Sequence, residues 1–197
     1  MKNPAKPLAT VTALLLLAAP AAFAATYQID PAHTFPQFQI RHLSFSLMHG
    51  QFNHTTGTIT MDHAKGLGSV NVTIAVDSID TGDAQRNKDL MAPSFFDAAK
   101  YPTMTYRSTK VMYHGKDTAT VYGNLTLKGT TKPVTLTVTR IYCGKNPFGA
   151  GERCGFDATA DIKRSDFGVS ADLPVIPDAV HIILNSDAVS ESATQGD

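Results

Sequence analysis

Tryptophan is absent from the 197 residues, cysteine occurs only twice, and neither sign of charge prevails, with 17 Lys and Arg against 17 Asp and Glu. Balanced charge leaves no electrostatic footprint for nucleic acid. With 14 Gly and 11 Pro, the chain is too poor in both for a collagen-like or low-complexity polymer. Several short motifs are missing too. There is no Gly-x-Ser-x-Gly elbow, no His-Glu-x-x-His and no Gly-x-x-x-x-Gly-Lys-Ser/Thr, so hydrolase, zincin and phosphate-loop chemistry lack their usual local geometry. No catalytic residue and no metal site is assigned, and an enzyme is not expected. What is present, 43% apolar and 17% charged residues, suffices for one globular domain and argues against disorder.

Residues 1–24 read as a cleaved export signal. Lys2 and Lys6 give a basic start, Val11 to Ala19 is apolar around Leu14-Leu15-Leu16-Leu17, and Ala22-Phe23-Ala24 offers small residues for cleavage after Ala24. The apolar run is shorter than the roughly 20 residues a spanning helix needs, and Pro20 interrupts it, so a membrane anchor is not expected. With no Cys beside the cleavage site, a lipoprotein anchor is not expected either. Residues 25–197 are then a mature, exported, periplasmic domain with a net charge of about −2 once Lys2 and Lys6 are removed.

Cys143 and Cys154 bracket Gly144-Lys145-Asn146-Pro147-Phe148-Gly149-Ala150-Gly151-Glu152-Arg153, a stretch rich in turn formers. Between two strands such a loop brings its ends together, and in an exported protein the pair is read as a structural disulfide. A redox pair would more usually be Cys-x-x-Cys, and two Cys without nearby His make a poor metal site.

From Thr26 onward the dominant period is two. Val70, Val72, Ile74 and Val76 alternate with Asn71, Thr73, Ala75 and Asp77, and Val134, Leu136 and Val138 with Thr135, Thr137 and Thr139. Phe38–His42, Thr58–Met61, Met104–Val111, Val121–Leu127, Phe156–Ile162 and Val180–Ala188 behave alike, giving about eight strands joined by short turns and hence antiparallel. The one interruption, Asp80 to Lys100, predicts a helix broken at Met91-Ala92-Pro93 and a second short helical turn from Ser94 to Ala99 capped by Ser94. Eight such strands form a sandwich or a closed barrel. Closure removes exposed edges, and an eight-stranded barrel either fills with side chains or holds one slender ligand. Pattern alone leaves a packed interior and an apolar cavity equally open.

Tyr27-Gln28-Ile29-Asp30-Pro31-Ala32-His33-Thr34, Ile40-Arg41-His42-Leu43, Gly50-Gln51-Phe52 and Gly57-Thr58-Ile59 resemble the start of the YceI family of secreted bacterial proteins. Asp77-Ser78-Ile79-Asp80-Thr81-Gly82, Arg86-Asn87-Lys88-Asp89-Leu90, Phe95-Phe96-Asp97, Tyr101-Pro102, Gly123 to Val134 and Arg164-Ser165-Asp166-Phe167-Gly168 continue the likeness in order and spacing, from Tyr27 to about Ala188. The resemblance implies an extended lipocalin-like antiparallel β-barrel that binds polyisoprenoid chains or quinone-like amphiphiles, with that lipid as ligand and no other cofactor. Family members often dimerise, so a homodimer is open; nucleic acid is not an expected partner. The family commonly has Arg-Asp-x-His-Leu where this chain has Arg86-Asn87-Lys88-Asp89-Leu90, so a head-group contact through that Asp or His does not carry over. The cysteine pair is not general to the family.

Face parity together with the resemblance gives a candidate ligand-contacting set: Phe38, Ile40, His42, Ile59, Leu90, Phe95, Phe96, Met104, Tyr106, Leu125, Phe156, Phe167 and Ile182. Phe38, Ile40, Ile59, Met104, Tyr106, Leu125, Phe156 and Ile182 are expected to point inward, and Gln39, Thr60, Thr105 and Thr126 outward. His42 shares the face of Phe38 and Ile40 and is either a hydrogen-bonded structural residue or a contact for a ligand's polar head. Arg41 falls on the opposite face. Arg86 and Asp89 form a structural pair or meet a head group, and Phe95 and Phe96 close one end of the cavity or simply pack the helix. Five of the seven histidines, His33, His42, His49, His54 and His63, crowd the first third, which keeps a metal-dependent stress protein or an enzyme of unknown reaction as the alternative. Their spacing, however, is neither i, i+4 nor i, i+2.

Overall fold

A computed structural model describes residues 24–190. The expected export signal, save its last residue Ala24, therefore lies outside the described residues. Among those described, no helix is long and apolar enough to cross a membrane.

The described residues form eleven strands and one α-helix, with three short 3-10 turns between them: β1 (Ala25–Ile29), β2 (Gln37–His42), β3 (Ser46–Phe52), β4 (Thr55–Asp62), β5 (Leu67–Ala75), β6 (Ile79–Asp80), α1 (Ala84–Met91), β7 (Thr103–Tyr113), β8 (Ala119–Leu127), β9 (Thr130–Lys145), β10 (Glu152–Lys163) and β11 (Ala179–Ser190). All pairings are antiparallel. The order β1-β4-β5-β7-β8-β9-β10-β11 closes on itself through β1 and β11, an eight-stranded barrel. The expected number of staves is met, but β1 supplies one of them and β2 does not. β11 is twelve residues long and serves two partners: Ala188 to Ser190 pair with β1, and His181 to Ile183 pair with β2. β2, β3 and β6 therefore extend from the barrel as a flap at the end where β11 begins.

The period-two pattern becomes burial directly. On β9, Val134, Leu136 and Val138 are buried, whereas Thr135, Thr137 and Thr139 are exposed. Cys143 and Cys154 stand opposite one another in the β9–β10 register and are joined as a disulfide.

The interruption at 80–100 differs from expectation in its second half. α1 forms, capped by Asp83, whose carboxylate accepts from the Arg86 amide at 2.7 Å. Ser94 to Ala99, expected as a capped helical turn, is a chain of turns instead. Pro93 has no amide hydrogen to continue a helix, and Asp97 adopts φ 52°, which reverses the chain. Backbone bonds from Phe96 to Leu90 and from Ala98 to Met91 fold the segment back on α1.

Candidate functional site

The barrel interior is a cavity of about 510 Å³, within the roughly 300–1,000 Å³ range of ligand pockets. Its wall is built by parity. Inward positions of the staves supply Ile29, Ile59, Met61, Val70, Val72, Ile74, Met104, Tyr106, Val121, Leu125, Val134, Leu136, Val138, Phe156, Ala158, Ile182 and Leu184. Gln39, Thr60, Thr105 and Thr126 are not among the lining residues, in keeping with their outward parity.

Twelve of the thirteen sequence-derived candidates border this space: Phe38, Ile40, His42, Ile59, Leu90, Phe95, Phe96, Met104, Tyr106, Leu125, Phe156 and Ile182. Phe167 does not. It is 2% exposed, in the 3-10 turn Arg164–Phe167 that follows β10, where the alternation of the strand has ended and parity no longer assigns a face.

Tyr106 crosses the inner wall. Its hydroxyl donates to the carbonyls of Val121 (3.1 Å) and Val134 (3.0 Å), and its ring lies over Gly123, where a Cβ would come within 2.5 Å of the ring. Burial pushes its phenol well above the usual tyrosine range, so it stays neutral. Toward α1 the wall is aromatic: Phe52 packs with Phe38 (6.0 Å between centroids) and edge-on with Phe96 (5.9 Å). Phe96 thus borders the cavity and also packs the segment after α1 against the flap strand β3, so lining and packing coincide in it.

Polar groups gather at the end bounded by β2, β3, α1 and the loop 168–178. Of the exposed lining residues, His49, Asp89 and Asp172 lie at this end and mark where the cavity meets solvent, whereas Asn185 stands within β11 opposite Asp157, and Ile59, Met61 and Ile141 at the far end are buried. Arg86 and Asp89 are not an ion pair. The Arg86 Nε donates to Thr81 Oγ1 (2.9 Å) and Nη2 to the Thr81 carbonyl (2.8 Å), and Asp89 accepts from Gln85 (2.9 Å). Asn87, at the position of the family's Asp, accepts from the Thr81 amide and hydroxyl and so organises the same loop. His42 lines the cavity, and its carbonyl accepts from the Phe45 amide (2.9 Å) while its imidazole makes no hydrogen bond among the described residues.

Arg164 is a lining residue that sequence reasoning missed. It is 6% exposed and donates to the carbonyls of Pro177, Val169, Ala171 and Ile176, between 2.8 and 3.0 Å, gathering the 168–178 loop around its guanidinium. Burial lowers its affinity for the proton, while Asp178 and Asp172 work the other way. The signal that could have singled it out is its place at the head of Arg164-Ser165-Asp166-Phe167-Gly168, a segment that carries the family resemblance. Val70, Val72, Ile74, Leu136 and Val138 were also left out of the candidate set, although the alternation of their strands carried the signal. Among the described residues the one group of three possible metal ligands is Cys143, Glu152 and Cys154, and both sulfurs are spent in the disulfide.

A family model described as a YceI-like domain matches residues 27–188. A UPF0312 protein of Pseudomonas aeruginosa is 40% identical over 179 residues, covering 89% of this chain and 93% of the relative. Among solved structures, BcnA of Burkholderia cenocepacia superposes with a TM-score of 0.72 at 30% identity, covering 82% of this chain and 99% of that one. A polyisoprenoid binding domain from Saccharophagus degradans has the same fold, with a TM-score of 0.61 at 18% identity over 85% of this chain and 99% of that one.

Proposed function

Because this chain belongs to the YceI-like family, we propose that its barrel sequesters or carries one isoprenoid lipid or quinone-like amphiphile in the periplasm, without reacting on it. The observation that carries the reading is the cavity of about 510 Å³, to which all eight staves contribute and whose wall is mainly Val, Ile, Leu, Met and Phe, with polar side chains gathered toward one end. The polyisoprenoid-binding domain that shares this fold is in accord with it. Residues 1–24 act in this reading as the cleaved export signal, and the disulfide is in accord with an oxidising compartment.

The tail supplies the affinity and the polar mouth supplies orientation. At roughly 0.3 kcal/mol per atom, each five-carbon prenyl unit contributes about 1.5 kcal/mol, close to tenfold in affinity. Binding of geraniol, farnesol and geranylgeraniol, measured by titration calorimetry, should therefore tighten about tenfold per unit. Met104→Glu and Leu125→Arg each place an unpaired charge in the wall and should abolish binding in folded protein, because the buried charge has no partner. His42→Ala should weaken binding modestly, by about 1 kcal/mol, the net worth of one hydrogen bond. Affinity independent of chain length, or loss in His42→Ala alone, would replace tail binding with a pocket that reads the head group.

A further inference from the structure

At the end of the barrel where the cavity meets solvent, apolar side chains also point into water. The β2–β3 hairpin tip carries Leu43, Phe45 and Leu47, with Phe45 88% exposed, and the loop 168–178 carries Val175 at 62%. The hairpin turns on Leu43 and Ser44, both left-handed at φ 51° and 63°, positions where Asn or Gly is the usual choice. A bulky apolar residue thus occupies a turn position that favours neither its backbone nor its solvation. These exposed residues are continuous with the cavity wall: Ile40, His42 and Met48 line it from the same hairpin, and Ile176 lines it beside Val175.

We infer that this rim seats the protein on a lipid bilayer, so that the ligand passes between membrane and cavity without crossing water. The inference rests on the isoprenoid-binding reading, because a ligand of that class resides in bilayers and its transfer through water is the step most opposed by the hydrophobic effect. The shape of the rim favours a bilayer over a protein partner. It is a narrow tip and a loop rather than a broad face, and lipid receives such projections without a matching surface. The charge pattern agrees for the hairpin. The tip from Leu43 to Met48 is uncharged, and the exposed Arg41 stands immediately behind it, at the depth of lipid phosphates when Phe45 lies in the acyl boundary. On the loop, Asp172 borders the mouth and Asp178 is held by Ser165, so apolar insertion rather than net charge drives the docking.

The protein contains its own control. Phe148 is 94% exposed on the β9–β10 turn, at the opposite end of the barrel. The full exported chain should co-float with vesicles of phosphatidylethanolamine and phosphatidylglycerol. The bound fraction should fall about tenfold in Phe45→Ser/Leu47→Ser and stay unchanged in Phe148→Ser. Uptake of geranylgeraniol from vesicles should slow in the hairpin variant, while its binding from ethanol dilution, with no membrane present, should equal that of wild type. Wild type that fails to float, or equal losses in the hairpin and Phe148 variants, would overturn bilayer docking, including in favour of a protein partner. Wild type that floats as described but binds no geranylgeraniol by dilution would leave docking standing and overturn the isoprenoid reading instead.

Discussion

Gly123 shows how much a single position decides inside the barrel. Its inward place on β8, between Val121 and Leu125, leaves the slot in which the Tyr106 ring lies, and the Arg107 carbonyl stands 2.7 Å from where a Cβ would be. Gly123→Ala must displace both the ring and a strand, so it should destabilise the fold by about 1–3 kcal/mol, as overpacking generally does, read as a shift in the chemical denaturation midpoint. A wild-type midpoint would mean that the slot is looser than the geometry shows. Tyr106 itself was legible as an inward residue because strand parity needs only the sequence. The reason for Gly123 was not, since its neighbour across the sheet is set by register. His42 and Arg86 were legible only as pairs of alternatives. The choice between hydrogen-bonded and free, or paired and unpaired, depends on a third residue, and for Arg86 that residue is Thr81, which no spacing rule points to.

Among the elements, the two long connections at opposite ends of the barrel are held by different chemistry. The β9–β10 connection is closed by Cys143–Cys154, 11 residues apart. Cutting that link with Cys143→Ser/Cys154→Ser should cost up to roughly 3 kcal/mol in the chain-entropy estimate, with the barrel retained, and calorimetric melting checks it. No loss of stability would mean the strands hold this turn unaided. The 164–178 loop is held by Arg164 from within and by Asp178, whose carboxylate accepts from the Ser165 hydroxyl (2.7 Å) and amide (2.8 Å). Those bonds, the hydroxyl first, hold the Asp178 carboxyl below the usual carboxylate range, with nearby Arg164 acting in the same direction. A carboxyl lowered in the folded state stabilises above its unfolded value, about 3.9, and that contribution disappears as pH falls through the folded value. The melting-temperature difference between wild type and Asp178→Asn should therefore be full at pH 7 and shrink below about pH 4. A difference that stays constant into acid would assign the effect to packing. The disulfide was legible because turn formers filled the interval between two alternating runs. The Arg164 loop was not, because its bonds go to backbone carbonyls, which every sequence possesses. The turn at Ser94–Ala99 was misread because helical composition outweighed one proline until Asp97 reversed the chain.

At the scale of the whole molecule, the barrel is an alternating-strand object whose closure depends on one strand serving two partners. The eight expected runs all form strands, yet β1, β3 and β6 complete the sheet, and β2 pairs outside the ring. Periodicity cannot see this. It assigns faces but not partners, and the division of β11 between β1 and β2 is a matter of register over twelve residues. That division opens the barrel at the flap end, where α1 and the Arg164 loop border a polar mouth on an apolar shaft. Whether the shaft is a ligand site is the central claim, and native mass spectrometry of the exported protein purified without detergent, followed by organic extraction, tests it most directly. The account predicts one long-chain isoprenoid or quinone-like molecule per folded chain, released intact into solvent and absent from Leu125→Arg. A chain that carries no lipid and stays empty when offered geranylgeraniol, or one that carries a stoichiometric metal ion instead, would contradict it.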